Sequence, residues 1–267
     1  MPKFGNSTKP SHDILEEIEK IGKLGFDFVE ITIEGPKAFS EDLMRKKEKI
    51  LKLIKKYGMF AVGHGMWFVD FGTPYENVRK GWIEEGKKDI DVAKELGIKF
   101  LVFHMESNDP LLLKDRRMRR KIINNNVKSM KELVDYGKTK GVGIVMENGI
   151  GKELSKLSNY KYVIDKVKGL GINIDIGHAF MLGGMKNVMK FIRAFRKKIE
   201  HIHIHDNRGS KDDHFPLGLG ELEYEKVAKA LKRIGYKKTI TFEIFTKDRD
   251  FAANSMKKFR DAWKRRK

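Results

Sequence analysis

The chain has 267 residues, 40% hydrophobic and 35% charged, with no cysteine. The apolar fraction excludes global disorder, the missing thiols exclude disulfides, thiolate metal sites and iron–sulfur clusters, and no run approaches the roughly 18 apolar residues of a membrane span. Its 56 basic against 37 acidic residues give a formal charge of +19, which suits an anionic partner such as nucleic acid or a phosphorylated small molecule, although a Lys- and Glu-rich, Cys-free surface is also that of a heat-adapted protein.

One pattern recurs along the chain: a charged amphipathic segment, then Gly, then a short β-branched or aromatic run. A strand at 3–8 opens the chain. Lys23-Leu24-Gly25 precedes a strand at 26–33, Tyr57-Gly58 one at 59–64 and Leu96-Gly97 one at 98–104. Lys140-Gly141 precedes 142–147, and Leu170-Gly171 precedes 172–176. A helix over 186–198 runs without the Gly signal into a strand at 200–205. Ile234-Gly235 then precedes 239–245, and a helix over about 248–265 ends the series. Gly suits the left-handed position after a helix C-terminus, and Lys suits the last turn. The β-branched runs read as buried parallel strands. Eight strands alternating with eight helical segments, at roughly 33 residues per unit, predict a single (β/α)8 barrel over 1–267. A doubly wound open sheet is the alternative.

In such a barrel the active residues lie at the C-terminal ends of the strands. Those ends read Asn6, Glu34, His64, His104, Glu147-Asn148, Asp175-Ile-Gly-His178, His203-Ile-His205-Asp206 with a following Asp212-Asp213-His214, and Glu243. Five of the eight histidines (64, 104, 178, 203 and 214) thus fall at one rim, together with four carboxylates. Carboxylates facing one another in a narrow funnel repel and are costly to bury. Divalent cations remove that cost, and a nitrogen–oxygen donor set suits Zn first, with Mn, Fe or Co as alternatives. The nine candidate donors are too many for one ion, so two or three per chain are expected. Ions about 3.5–4 Å apart, bridged by a carboxylate, would form a clamp for displacement at phosphorus.

Other features are weaker. His201, His203 and His205 share one face of a strand, with His201 deepest as a packed histidine and His205 as a group behind the donors. His12 is expected on the first helix at the surface. Arg116-Arg-Met-Arg-Arg-Lys121, with Arg119 and Arg120, could grip a phosphate backbone, or be a solvated helix start. Trp67 in Met66-Trp67-Phe68 could stack on a base or sugar, and Arg208 could contact the substrate. Gly218-Leu-Gly220 could cradle a phosphate, or merely turn the chain. The basic tail 264–267 is expected outside the folded body. With no apolar signal core at Met-Pro-Lys-Phe-Gly, a cytoplasmic location is expected, with no membrane association and no obligate protein partner.

The motifs His64-Gly-Met-Trp-Phe-Val-Asp, Val102-Phe-His104, Val145-Met-Glu147-Asn, Asp175-Ile-Gly-His178-Ala-Phe, His203-Ile-His-Asp206-Asn, Asp212-Asp-His214-Phe-Pro-Leu-Gly-Leu-Gly220 and Phe242-Glu243 span nearly the whole chain. They resemble the xylose isomerase-like TIM-barrel superfamily, which contains endonuclease IV and sugar isomerases and epimerases. Resemblance to endonuclease IV implies one ion on His64, His104 and Glu147. It implies a second on Glu147, Asp175, His203 and Glu243, and a third on His178, Asp212 and His214. The implied activity, and the one expected first because it uses all nine donors and the basic charge, is metal-dependent phosphodiester cleavage at abasic-site DNA, with sugar isomerisation or epimerisation as the alternative. The opening Lys3-Phe-Gly-Asn-Ser-Thr and the segment Glu34-Gly-Pro depart from that family's DNA-contacting elements. Leu24-Gly-Phe-Asp-Phe-Val-Glu30 and the loop 206–214 are more similar to the isomerase and epimerase group. That resemblance implies a single ion on Glu147, Asp175, His203 and Glu243, a sugar or sugar-phosphate substrate, and Glu147 with Glu243 as an acid/base pair.

Overall fold

A computed structural model describes residues 1–105, 107 and 109–265. Eight parallel strands close in chain order into a barrel: β1 (Lys3–Ser7), β2 (Phe28–Thr32), β3 (Phe60–His64), β4 (Phe100–His104), β5 (Gly143–Glu147), β6 (Gly171–Asp175), β7 (Ile199–Ile204) and β8 (Thr239–Phe242). Pairing of β8 with β1 closes the ring and removes the open-sheet alternative. Around it run α1 (Ile14–Lys23), α2 (Ser40–Arg45), α3 (Lys47–Lys56), α4 (Glu76–Glu95), α5 (Pro110–Lys114) and α6 (Arg116–Lys140). The ring continues with α7 (Leu157–Lys166), α8 (Ile176–Met181), α9 (Gly184–Phe195), α10 (Tyr224–Arg233) and α11 (Asp250–Lys264). Three connections hold two helices each, so the eight expected helical segments become eleven. None of these helices is long and apolar enough to cross a membrane.

Gly25, Gly58, Gly97, Gly141 and Gly235 take the left-handed turn the sequence requires, at φ between 63° and 76°. Gly171 does not. Helix α7 stops at Lys166, Gly169 makes the turn at φ 94°, and Gly171 opens β6, where an added Cβ would collide with Glu200. His12 precedes α1 instead of lying on it, because Asp13 is the cap, accepting from the backbone N–H of Leu15 at 2.9 Å. Of the basic tail, Lys264 ends α11, while Arg266 and Lys267 lie outside the described residues.

The two faces of the barrel wall carry different chemistry. Outward, Phe4 of β1 and Phe242 of β8 pack on Phe259 of α11. Inward, positions two apart on each strand share a face. The inward layer beneath the rim contains Glu30, Asn173, His201 and Thr241, all fully buried. Every one of these side chains is hydrogen-bonded, as burial of polar groups requires. Asn6 turns outward, bonded to Arg249, which also pairs with Glu17 of α1 and so ties the first and last βα units together.

Behind the rim, Asp89 of α4 is 2% exposed. Burial pushes its carboxyl up to about 8, against hydrogen bonds from Ser40 and the backbone of Met66. A carboxyl that keeps its proton longer when folded binds more protons in the native state. Stability therefore falls as pH rises from about 4 to about 8, by about 1.4 kcal/mol per unit at most. Urea midpoints at pH 5 and pH 8 are expected to differ less in Asp89→Asn than in the wild type. An equal difference in both would contradict this assignment.

Candidate metal centre

Strand register brings the donors together before any side-chain detail matters. His104 pairs with Glu147 across β4 and β5, and Asp175 pairs with His203 across β6 and β7. The predicted donor side chains fall into the three expected groups, each with one donor atom per residue within 4.8 Å of the others, and a fourth, overlapping group joins His64, His203 and Glu243 to Glu30. His64, His104 and Glu147 form the first. Glu147, Asp175, His203 and Glu243 form the second, so Glu147 belongs to both. His178, Asp212 and His214 form the third, joined by His205. His205 is thus one of the convergent groups and not behind them. Its imidazole is packed beneath Gly177, where any Cβ would strike the ring, and it stacks on His214 at 4.0 Å.

The hydrogen bonds fix which nitrogen of each ring faces inward. Nδ1 of His64 donates to the carbonyl of Gly65 (2.7 Å), that of His178 to the carbonyl of Asn148 (2.9 Å) and that of His214 to the carbonyl of Glu243 (2.8 Å). A carbonyl can only accept, so Nδ1 of each ring carries a proton and Nε2 is the nitrogen left facing the other donors. His203 is reversed. Its Nε2 donates to Glu30 at 2.9 Å, and Nδ1 lies 3.1 Å from Glu147 and 3.2 Å from Glu243. An imidazole held by a carboxylate or carbonyl behind it is the usual support for a metal-binding histidine.

Several donor atoms have no other occupation. Glu147 Oε1, Asp175 Oδ2, His203 Nδ1, His205 Nε2 and Asp212 Oδ1 are buried without a hydrogen-bond partner. Leaving that many polar atoms unpaired in a core costs roughly 1–3 kcal/mol each. They all belong to the convergent groups, so the residues fit divalent cations. Among the histidines, Nε2 of His64 and Nε2 of His104 stand 3.1 Å apart. That is hydrogen-bonding distance, so a proton or a cation lies between the two nitrogens.

The electrostatics agree. Burial alone would raise Glu147, yet His203 and His104 hold it well below the usual carboxylate range. Burial opposes protonation of His64, but Glu147 lifts it to about 9. Burial, helped by the charge on His64, takes His104 down to about 4. The pair thus holds one proton between them. Asp175 falls to about 2, because His178 and His205 outweigh its burial. Glu243 is raised by burial, with His203 opposing and the charge on Glu147 adding. Positive charge is wanted at each group, and cations supply it.

Above the donors lies a cavity of about 810 Å³. His64, His104, Glu147, His178, Asp212 and His214 form its floor with Glu243, while Asp175 and His203 lie beneath the surface. Trp67 and Phe245 stand at its mouth, both more than half exposed. Glu34 is on the wall, raised by burial.

The predicted basic contacts lie elsewhere. Arg119 donates to the carbonyl of Leu113 and pairs with Glu153 at 3.0 Å. Arg120 lines a separate groove on α6. Arg208 lies over the ring of Phe215, outside the cavity lining. None of the three lines the cavity above the donors. Gly218 gives its N–H to Asp206, which also accepts from Asn207 and Leu222. That segment therefore turns the chain and cradles nothing. Reading strand ends alone missed Glu30, although one charge inside an otherwise apolar strand run was the available signal.

The model for the xylose isomerase-like TIM barrel matches residues 18–264. An uncharacterized protein of Methanocaldococcus jannaschii is 30% identical over 251 residues, covering 90% of this chain and 83% of its own. A probable endonuclease 4 of Aquifex aeolicus is 22% identical, covering 87% of each chain. The crystal structure of a D-tagatose 3-epimerase-like protein superposes with a TM-score of 0.85 at 27% identity, covering 97% of this chain and 96% of that one.

Proposed function

Because the chain belongs to the xylose isomerase-like TIM-barrel family, we propose that it is a metal-dependent epimerase or isomerase of a ketose-type sugar. One observation carries this reading: the lining of the cavity above the donors. Ser7, Thr8, Ser11 and Thr32 line it, the hydroxyls of Thr8 and Thr32 being bonded to each other's backbone, and Trp67 and Phe245 add aromatic rings. The only Lys or Arg in the lining is Lys9, whose ammonium is bonded to the carbonyl of Thr246. Ser7 Oγ is buried and has no partner. Neutral hydroxyls with aromatic walls suit a polyol better than a poly-anionic backbone, and the volume is that of a small-molecule site.

Glu147, Asp175, His203 and Glu243 would hold an ion, which supplies a Lewis acid that polarises a carbonyl or hydroxyl oxygen of the sugar. The chain's own contribution is proton movement. One carboxylate of the Glu147–Glu243 pair takes the proton from the carbon beside the carbonyl. The other returns a proton to the opposite face, inverting that carbon with no net redox change. His203, fixed through Nε2 by Glu30, keeps the two carboxylates apart. The epimerase-like structural relative supports this reading.

A second reading is phosphodiester hydrolysis of the endonuclease type. It is favoured by the donors that proton transfer leaves idle: His64 and His104 on one side, and His178, Asp212 and His214 on the other. The endonuclease 4 relative points the same way. Metal-loaded protein is tested with a ketose panel in deuterium oxide and with an abasic-site duplex. Deuterium at the carbon beside the carbonyl is expected, and Trp67→Ala is expected to raise KM by about tenfold with little change in kcat. Cleavage of the duplex with no exchange into any ketose would overturn the first reading in favour of the second.

A further inference from the structure

Helices α7 and α9 begin on either side of one cavity. Each follows a strand, α9 by way of α8, so both N-termini point toward the rim that carries the metal donors. The cavity measures about 900 Å³ and touches Lys156, Leu157 and Ser158 at the start of α7 and Gly183, Gly184 and Asn187 at the start of α9. Neither helix has a side-chain cap, since Lys156 and Gly183 hold the cap positions. Aspartates cap α1, α5, α6 and α8, while α2, α3, α4, α10 and α11 share the lack of a side-chain cap. Two uncapped helix starts leave first-turn N–H groups and the positive ends of two helix dipoles at one place.

The side chains have the same sign. Lys152, Lys156 and Lys190 line the cavity against one carboxylate, Glu221. Lys156 pairs with Glu153 at 2.9 Å, while Lys152 and Lys190 have no ion pair among the described residues. Ser155 is 4% exposed, lines the cavity, and its Oγ has no hydrogen-bond partner. A buried hydroxyl without a partner asks for a polar occupant, and uncapped helix starts with lysines ask for an anion.

We propose that this cavity binds a phosphate group, with the backbone N–H groups at the starts of α7 and α9 and the side chains of Ser155, Lys152 and Lys190 as its donors. The site is distinct from the metal centre. Ile150 lines the cavity above the donors and Lys152 lines this one, so the loop between them is the shared wall. The phosphate belongs to a phosphorylated sugar or to a nucleic-acid backbone, and the inference holds whichever reaction the metal donors serve.

Isothermal titration of metal-loaded protein with inorganic phosphate tests it. Saturable binding is expected, weakened at least tenfold in Lys152→Glu with Lys190→Glu, with metal content unchanged. Lys190→Gln, which removes the charge without reversing it, is expected to give a smaller loss in the same direction. A ketose phosphate that binds more tightly than its parent ketose, by a margin the double variant removes, identifies a sugar source. Stronger binding of a short oligothymidylate identifies a backbone source. Absence of saturable binding, or an affinity that the double variant leaves unchanged, overturns the proposal.

Discussion

Glu147→Gln is expected to leave the barrel folded and to lower kcat/KM by roughly 10²–10⁴-fold. Glu147 belongs to two of the groups of convergent donors. It also accepts from Asn173 at 2.8 Å and lies within 3.6 Å of a nitrogen on each of His64, His104, His178 and His203. An amide of the same shape keeps the packing but loses the charge that four imidazoles and any shared cation surround. Metal content by plasma mass spectrometry should fall in step with activity, while circular dichroism stays that of the wild type. Full activity with unchanged metal content would remove Glu147 from the centre.

Glu30 gives the second large effect, although it touches no substrate. It is fully buried and bonded to His201, His203 and Thr241. Burial opposes its charge, but His203 and His201 hold the carboxyl well below its usual range. Glu30→Ala strands two imidazoles and a hydroxyl in the core, and is expected to cost roughly 3–5 kcal/mol. Glu30→Gln restores volume and an acceptor, so much of that stability should return. It cannot restore the negative charge that raises the basicity of His203 through its far nitrogen. Metal affinity in the Gln variant is therefore expected to stay about 10–100-fold weak. Urea denaturation and metal titration separate the two effects. Wild-type affinity in Glu30→Gln would reduce the residue to a packing role.

Glu30 also marks how far the sequence could be read. The strand-end histidines and carboxylates were legible because a parallel strand between helices announces its own C-terminus, and five of the chain's eight histidines sit there. Glu30 lies two positions before the end of β2, inside the wall, and its role depends on β7 lying across the barrel. Gly171 was misread for a related reason: the helix before it stops early, and its missing side chain makes room for Glu200 on the neighbouring strand. The partner of Arg119 was not legible, because Glu153 comes from a different βα unit.

By itself the sequence determined the alternation of elements and the fact that one rim gathers nitrogen and oxygen donors. Both are local properties, since helix ends, strand runs and strand direction are encoded over a few residues, and parallel strands must all end on the same side. Only the tertiary structure decided which donors share a centre, which nitrogen of each histidine turns inward, and where the positive charge ended up. Those depend on the register at which the barrel closes and on contacts between side chains far apart in the chain, to which linear spacing is blind.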